Sequence, residues 1–191
     1  VAPKWGISSS VIIRDNMLLL NVGKYGLAVD KKDGTIIWQS PKAICGYASP
    51  VLYTSGDKDC LVAFGQKALY GVEADTGVLL WTQEWITRLD EQSADPVVWK
   101  NYVFVSSIYS KGCAVFDISD NVPKEVWLND TLVNKFSSSI LYEGKLYGVH
   151  GNTIKRKGNS WDVGRKKGAL CCVDFLTGEL LWEEGVGIAS L

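Results

Sequence analysis

One nine-residue frame constrains this chain more than any other feature. It consists of an acidic residue, two variable positions, Asp or Thr, Gly, three more positions, then Trp. It reads Asp30-Lys-Lys-Asp33-Gly34-Thr-Ile-Ile-Trp38, then Glu73-Ala-Asp-Thr76-Gly77-Val-Leu-Leu-Trp81, then Asp174-Phe-Leu-Thr177-Gly178-Glu-Leu-Leu-Trp182. A degenerate copy runs from Val115-Phe116-Asp117-Ile118 to Val122-Pro123-Lys124-Glu125-Val126-Trp127 and lacks the Thr-Gly. Anchors recurring every forty to fifty-five residues mark repeated structural units rather than scattered tryptophans.

Each unit holds four short β-like runs separated by turn residues. The second is clearest: Ala48 to Tyr53, Cys60 to Gly65, Ala68 to Glu73 and Val78 to Thr82, broken at Ser55-Gly56-Asp57, Gly65-Gln66-Lys67 and Asp75-Thr76-Gly77. The first unit opens on a run from Ile7 to Ile13. No long window carries a 3.6-residue apolar period. With 8 Trp, 8 Tyr and 19 Gly against 1 Met, the composition also favours strands. The expected fold is all-β: a β-propeller of four-stranded antiparallel blades, about four of them, over residues 5–39, 46–82, 93–128 and 136–183, with 184–191 beginning a further blade. A single twisted sheet cannot bury both faces, so blades stack. Trp38, Trp81, Trp127 and Trp182 are then wedges between blades. Gly34, Gly77 and Gly178 supply positive φ in a tight turn, and Asp30, Glu73 and Asp174 cap that turn's amides.

The balance of 20 basic against 21 acidic residues, net charge −1, excludes a simple nucleic-acid binder. A single histidine, His150, excludes a multi-histidine metal site, and 5 cysteines are too few for a disulfide scaffold. No apolar run reaches membrane-spanning length.

The frames, together with Trp5-Gly6-Ile7-Ser8-Ser9-Ser10, Gly46-Tyr47-Ala48-Ser49-Pro50-Val51 and Gly144-Lys145-Leu146-Tyr147-Gly148, resemble the tryptophan-docking repeats of the pyrroloquinoline quinone (PQQ)-like propellers. That superfamily includes quinoprotein alcohol dehydrogenases and a non-enzymatic outer-membrane assembly lipoprotein. The resemblance covers essentially the whole chain. It implies an eight-bladed ring of which four units are about half, hence self-association or further blades, and a place in the periplasm or at the cell surface. Because the repeats are structural, it transfers no catalytic residue.

Antiparallel alternation places the second-to-third loop and the blade-to-blade loop on one face, which carries residues 40–47, 84–94, 129–137 and the insert 151–168. The candidate binding residues there are Trp85, Arg88, Asn134, Lys135, Trp161 and Arg165. Trp85 and Arg88 have the chemistry to stack on and bridge a ligand, or to pack against the neighbouring blade. The insert, with six basic residues from Lys155 to Lys167, reads as an anion-facing loop or as a solvated hairpin. Cys171-Cys172 invites comparison with the vicinal disulfide of some quinoprotein dehydrogenases. It lies in a strand, however, where neighbours face opposite sides, and reads as two buried thiols. The expected function is a non-enzymatic scaffold offering its loop face to a protein partner or small ligand, without cofactor or metal. The alternative is a fragment of a quinoprotein alcohol or sugar dehydrogenase, with PQQ and calcium. A luminal sensor module is a third possibility.

Overall fold

The computed structural model of the chain describes residues 2–108, 111–150 and 168–186 in full, and 153–157 and 160–164 as backbone. No helix occurs among the described residues. The chain is an all-β propeller array of four antiparallel four-stranded meanders. The first blade comprises β1 (Ile12–Arg14), β2 (Met17–Leu20), β3 (Leu27–Asp30) and β4 (Ile36–Gln39). The second comprises β5 (Val51–Ser55), β6 (Lys58–Phe64), β7 (Ala68–Glu73) and β8 (Leu79–Glu84). The third comprises β9 (Val97–Trp99), β10 (Tyr102–Ser107), β11 (Gly112–Asp117) and β12 (Lys124–Asn129). The fourth pairs β13 (Ile140–Tyr142), β14 (Lys145–His150), β17 (Ala169–Asp174) and β18 (Leu180–Gly185). The insert is a separate hairpin of β15 (Thr153–Lys157) and β16 (Ser160–Gly164). The expected opening strand from Ile7 shortens to Ile12–Arg14. Upstream of it, Ser8 Oγ donates to Tyr47 O (3.4 Å) and Ser10 N to Ser49 Oγ (3.0 Å), so this stretch is tied to the next blade.

Every blade carries a β-bulge at the same place. The residue before each tryptophan (Ile37, Leu80, Val126, Leu181) is skipped in the register between the third and fourth strands. A bulge re-aims the next side chain, and here that side chain is the indole. Trp38 reaches into the second blade. Its Nε1 donates to Ala74 O (2.8 Å), and its ring covers Gly77, whose φ is +72°. A Cβ at Gly77 would come within 2.6 Å of the indole. Trp127 does the same to the fourth blade, donating to Phe175 O (2.9 Å) over Gly178. The tryptophan and glycine of one sequence frame therefore serve two different interfaces.

Trp81 departs from this pattern. The turn it faces, in the third blade, is the one without Thr-Gly. Its indole instead lies against its own blade at Gly71 and donates to Tyr53 Oη (2.9 Å). It still fills the space between blades, packed with Val62 and Phe64 on one side and Val103, Val105 and Phe116 on the other. Equivalent cores join the first blade to the second through Leu19, Leu61 and Val72, and the third to the fourth through Phe104, Val115 and Leu146.

The turn acid works as expected at two of its three sites. Asp30 Oδ1 accepts Lys32 N (2.7 Å), and Asp174 Oδ1 accepts the amides of Leu176 (3.0 Å) and Thr177 (2.9 Å). Glu73, one methylene longer, receives the Thr76 hydroxyl (2.5 Å) and pairs with Lys58 (2.9 Å), which together hold its carboxyl below the usual range. All five cysteines are buried free thiols. Cys171 joins the core shared with the third blade, and burial pushes Cys113 up to about 12.

Two outcomes follow for denaturant melts and thiol chemistry. Trp38→Ala and Trp81→Ala each lower unfolding free energy by about 3–5 kcal/mol, whereas Tyr53→Phe, which orphans one indole N–H, costs about 1–2 kcal/mol. In the native chain the thiols react with a disulfide reagent at least about a hundredfold more slowly than in urea, since all five are buried.

Candidate functional site

The first strands of successive blades lie side by side, β5 touching β9 and β9 touching β13. Two residues before each of these strands sits one equivalent position: Ser10, Ser49, Asp95 and Ser138. These four residues are strung together. Ser10 N donates to Ser49 Oγ (3.0 Å), Ser49 N to Asp95 Oδ1 (2.5 Å), and Asp95 N to Ser138 Oγ (2.9 Å). Each of the second, third and fourth blades thus presents a short polar side chain that receives the preceding blade's amide, which fixes the spacing of the blades at this end.

Above that string the blade-to-blade connections converge on a groove of about 680 Å³. Its aromatic walls are Trp5, Tyr47 and Phe136, and its charged groups are Glu91, Asp95 and Lys135. Trp5 and Phe136 are 69% and 73% exposed, so both rings are held open to solvent. Trp5 is anchored by its backbone N, which donates to Tyr47 Oη (3.3 Å). The Lys135 ammonium lies 4.7 Å from the Phe136 ring centre.

Beneath the groove, buried amide side chains brace the loops. Gln92 Nε2 donates to Thr87 Oγ1 (3.0 Å), and its Oε1 receives the Ser107 hydroxyl (2.7 Å). Ser107 in turn accepts Trp85 Nε1 (3.0 Å). The backbone oxygen of Gln92 receives Tyr47 N and Ala48 N (2.8 and 3.0 Å), locking the second blade's loop to the third's. One blade on, Asn134 Nδ2 donates to Val149 O (3.2 Å) and its Oδ1 accepts Ser139 Oγ (2.8 Å). His150, closing β14, accepts Val133 N at Nδ1 (3.2 Å). Buried polar groups satisfied in this way rigidify what they hold.

Two candidate contact residues are corrected by these positions. Trp85 is 1% exposed and stacked edge-on against Phe116, and Asn134 is equally buried; both support the groove from below instead of facing a ligand. Their size and hydrogen-bonding capacity are what an inter-blade brace requires, so residue type alone does not separate the two roles. Lys135 does line the groove, and Arg88 is exposed on the connection that carries Trp85. Arg165 lies outside the described residues. Trp161 belongs to β16, whose backbone alone is described. Sequence reading missed Trp5, Tyr47, Asp95 and Ser138 as site residues. The available signal was the recurring frame Ser49-Pro50-Val51, Asp95-Pro96-Val97 and Ser138-Ser139-Ile140 ahead of each first strand.

Among the described residues no group of three Asp, Glu, His or Cys side chains is placed to hold a metal ion. On their own these side chains do not build the six- to eight-oxygen cage that calcium takes. As a test of the brace, Gln92→Leu strands the Ser107 hydroxyl and several loop groups. It costs about 2–3 kcal/mol in a denaturant melt, far more than an exposed polar-to-apolar change.

The sequence matches the family described as outer membrane protein assembly factor BamB over residues 3–184. No curated protein matches it by sequence. Among solved structures it is similar to BamB from Moraxella catarrhalis (17% identity, TM-score 0.53), covering 94% of this chain and 62% of that one. It is similar to the quinohemoprotein alcohol dehydrogenase ADHIIG from Pseudomonas putida HK5 (16%, TM-score 0.64), covering 97% and 35%. It is also similar to the computationally designed Ika8 protein (14%, TM-score 0.61), covering 100% and 54%. The chain thus spans less than two thirds of each of these structures, and at such identities the likeness is one of fold.

Proposed function

This chain belongs to the family of the outer membrane protein assembly factor BamB, and from that premise we propose that it is a non-enzymatic binding module of the bacterial cell envelope. Its loop-face groove receives a segment of a protein partner. The observation that carries this reading is the pair of solvent-held rings, Trp5 and Phe136, flanking a mixed-charge groove on a braced loop scaffold. Exposed aromatics on a rigid base are the residues from which binding hot spots are built, and an organised groove loses little conformational entropy when it is filled. Glu91, Asp95 and Lys135 place both signs of charge within it, which suits a polypeptide whose side chains and backbone offer both.

The experiment is photo-crosslinking in cells, with a photoreactive residue at Phe136 and a control at Val122, which is exposed in the third blade's turn. Protein adducts at position 136 and none at 122 are expected. With the captured partner segment as a purified peptide, Trp5→Ala and Phe136→Ala weaken binding by about tenfold or more and alter stability by less than about 0.5 kcal/mol. Dye reduction with alcohols after addition of PQQ and calcium, or the absence of any adduct at 136, overturns the reading.

A further inference from the structure

The polar string that spaces the blades is chemically uneven. At each blade its task is to accept one amide N–H from the blade before. A serine hydroxyl does this at Ser49, 3.0 Å from Ser10 N, and at Ser138, 2.9 Å from Asp95 N. The third blade does the same with a carboxylate, Asp95 Oδ1 accepting Ser49 N (2.5 Å). Its second oxygen and its negative charge are surplus to the spacing. Ser49, Asp95 and Ser138 all line the groove, so this surplus charge stands in the groove floor, flanked along the string by two hydroxyls.

Asp95 is half-buried, and among the described residues no ion pair reaches it. Lys135 is the cation among the described groove-lining residues, and its ammonium lies against the Phe136 ring, 4.7 Å from the centre. The ammonium of Lys4 lies in the same way 4.6 Å from the centre of the Trp5 ring. The groove is therefore negative in its floor and positive beside its aromatic walls. A carboxylate drawn out of water gives up hydration that a cation carrying N–H donors restores. The walls suit the rest of such a group: aromatic faces attract cations, and the stems of lysine and arginine are apolar.

We propose that the segment received by the groove presents one basic side chain, lysine or arginine, whose stem lies along Trp5 and Phe136 and whose charged head donates to the second carboxylate oxygen of Asp95. The inference rests on the reading of the groove as the receptor of a protein segment and adds the chemistry of that segment. The ammonium groups of Lys4 and Lys135 repel further positive charge and favour acids beside the basic residue. The segment thus carries a single basic residue among acidic or neutral neighbours, and a polybasic run is rejected. Asp95 does two jobs with its two oxygens: one spaces the blades, the other reads the partner.

The test is selection of phage-displayed random peptides on the 191-residue chain and on two variants. Asp95→Asn removes the charge and keeps the oxygen that accepts Ser49 N, and Asp95→Ser installs the residue that already serves at Ser49 and Ser138. Circular dichroism and melting check that both fold. The wild-type chain is expected to enrich peptides with one Lys or Arg at a fixed position and acidic or neutral neighbours, and both variants lose that preference. The leading peptide, synthesised, binds either variant at least about tenfold more weakly. Replacing its basic residue by Gln weakens binding to the wild-type chain by a similar factor and weakens binding to the variants no further. That coupling is absent if Asp95 serves only to space the blades. Peptides that need Trp5 and Phe136 but carry no fixed basic residue, a preference for polybasic peptides, or two changes whose effects simply multiply overturn this inference and leave the groove reading standing. No enriched peptide, or peptides that bind Trp5→Ala and Phe136→Ala as well as the wild-type chain, overturn both.

Discussion

The structure depends on a flat indole lying over a glycine turn that belongs to the next blade. Only a residue without Cβ, held at positive φ, leaves room for the ring, and only a bulge one residue earlier turns the ring toward it. The contact buries a large apolar surface and satisfies the indole N–H on a backbone carbonyl at Ala74 or Phe175. Sheets that would otherwise expose two apolar faces are thereby stacked in a fixed order and a fixed direction. Where the third blade lacks the glycine, the indole of Trp81 keeps its burial and changes its hydrogen-bond partner to Tyr53. Burial is therefore the indispensable part of the contact, and the carbonyl bond is replaceable.

Stacking aligns the first strands, and this alignment creates the loop-face site. Once the blades are spaced by indole wedges, the residues two places before each first strand come within hydrogen-bond reach and form the Ser10–Ser49–Asp95–Ser138 string. The large buried side chains of the connecting loops then serve as structural struts. Gln92, Trp85 and Asn134 are removed from solvent, so that Trp5, Tyr47 and Phe136 stand on firm ground above them. The division of labour follows from geometry: groups low in the loops meet the next blade, and groups at the crest meet water.

Much of the fold was legible in the residues themselves. The frames ending at Trp38, Trp81 and Trp182 announce repeated four-stranded blades, and the glycine–acid pairing announces the turn. The degenerate copy at Trp127 was recognisable from its spacing. The site was legible only in outline. The connections 40–47, 84–94 and 129–137 each contribute residues to the groove, beside Trp5 and Ser8 from outside them, but two of the side chains singled out in them, Trp85 and Asn134, are internal. Amphipathic residues serve equally as ligand platforms and as inter-blade struts, and local sequence has no term that distinguishes the two.

By itself, then, the order of amino acids determined the strand-rich repeat, the turn conformations and the residues able to wedge sheets apart, because all three follow from side-chain volume, backbone freedom and periodicity within a few neighbours. Only the tertiary structure decided that each frame's tryptophan and glycine serve different neighbours, that Asp95 and its equivalents form one bonded series, and which aromatic rings face water. Those outcomes depend on the separation and direction of one blade relative to the next, a relation between residues some forty positions apart that local pattern does not encode.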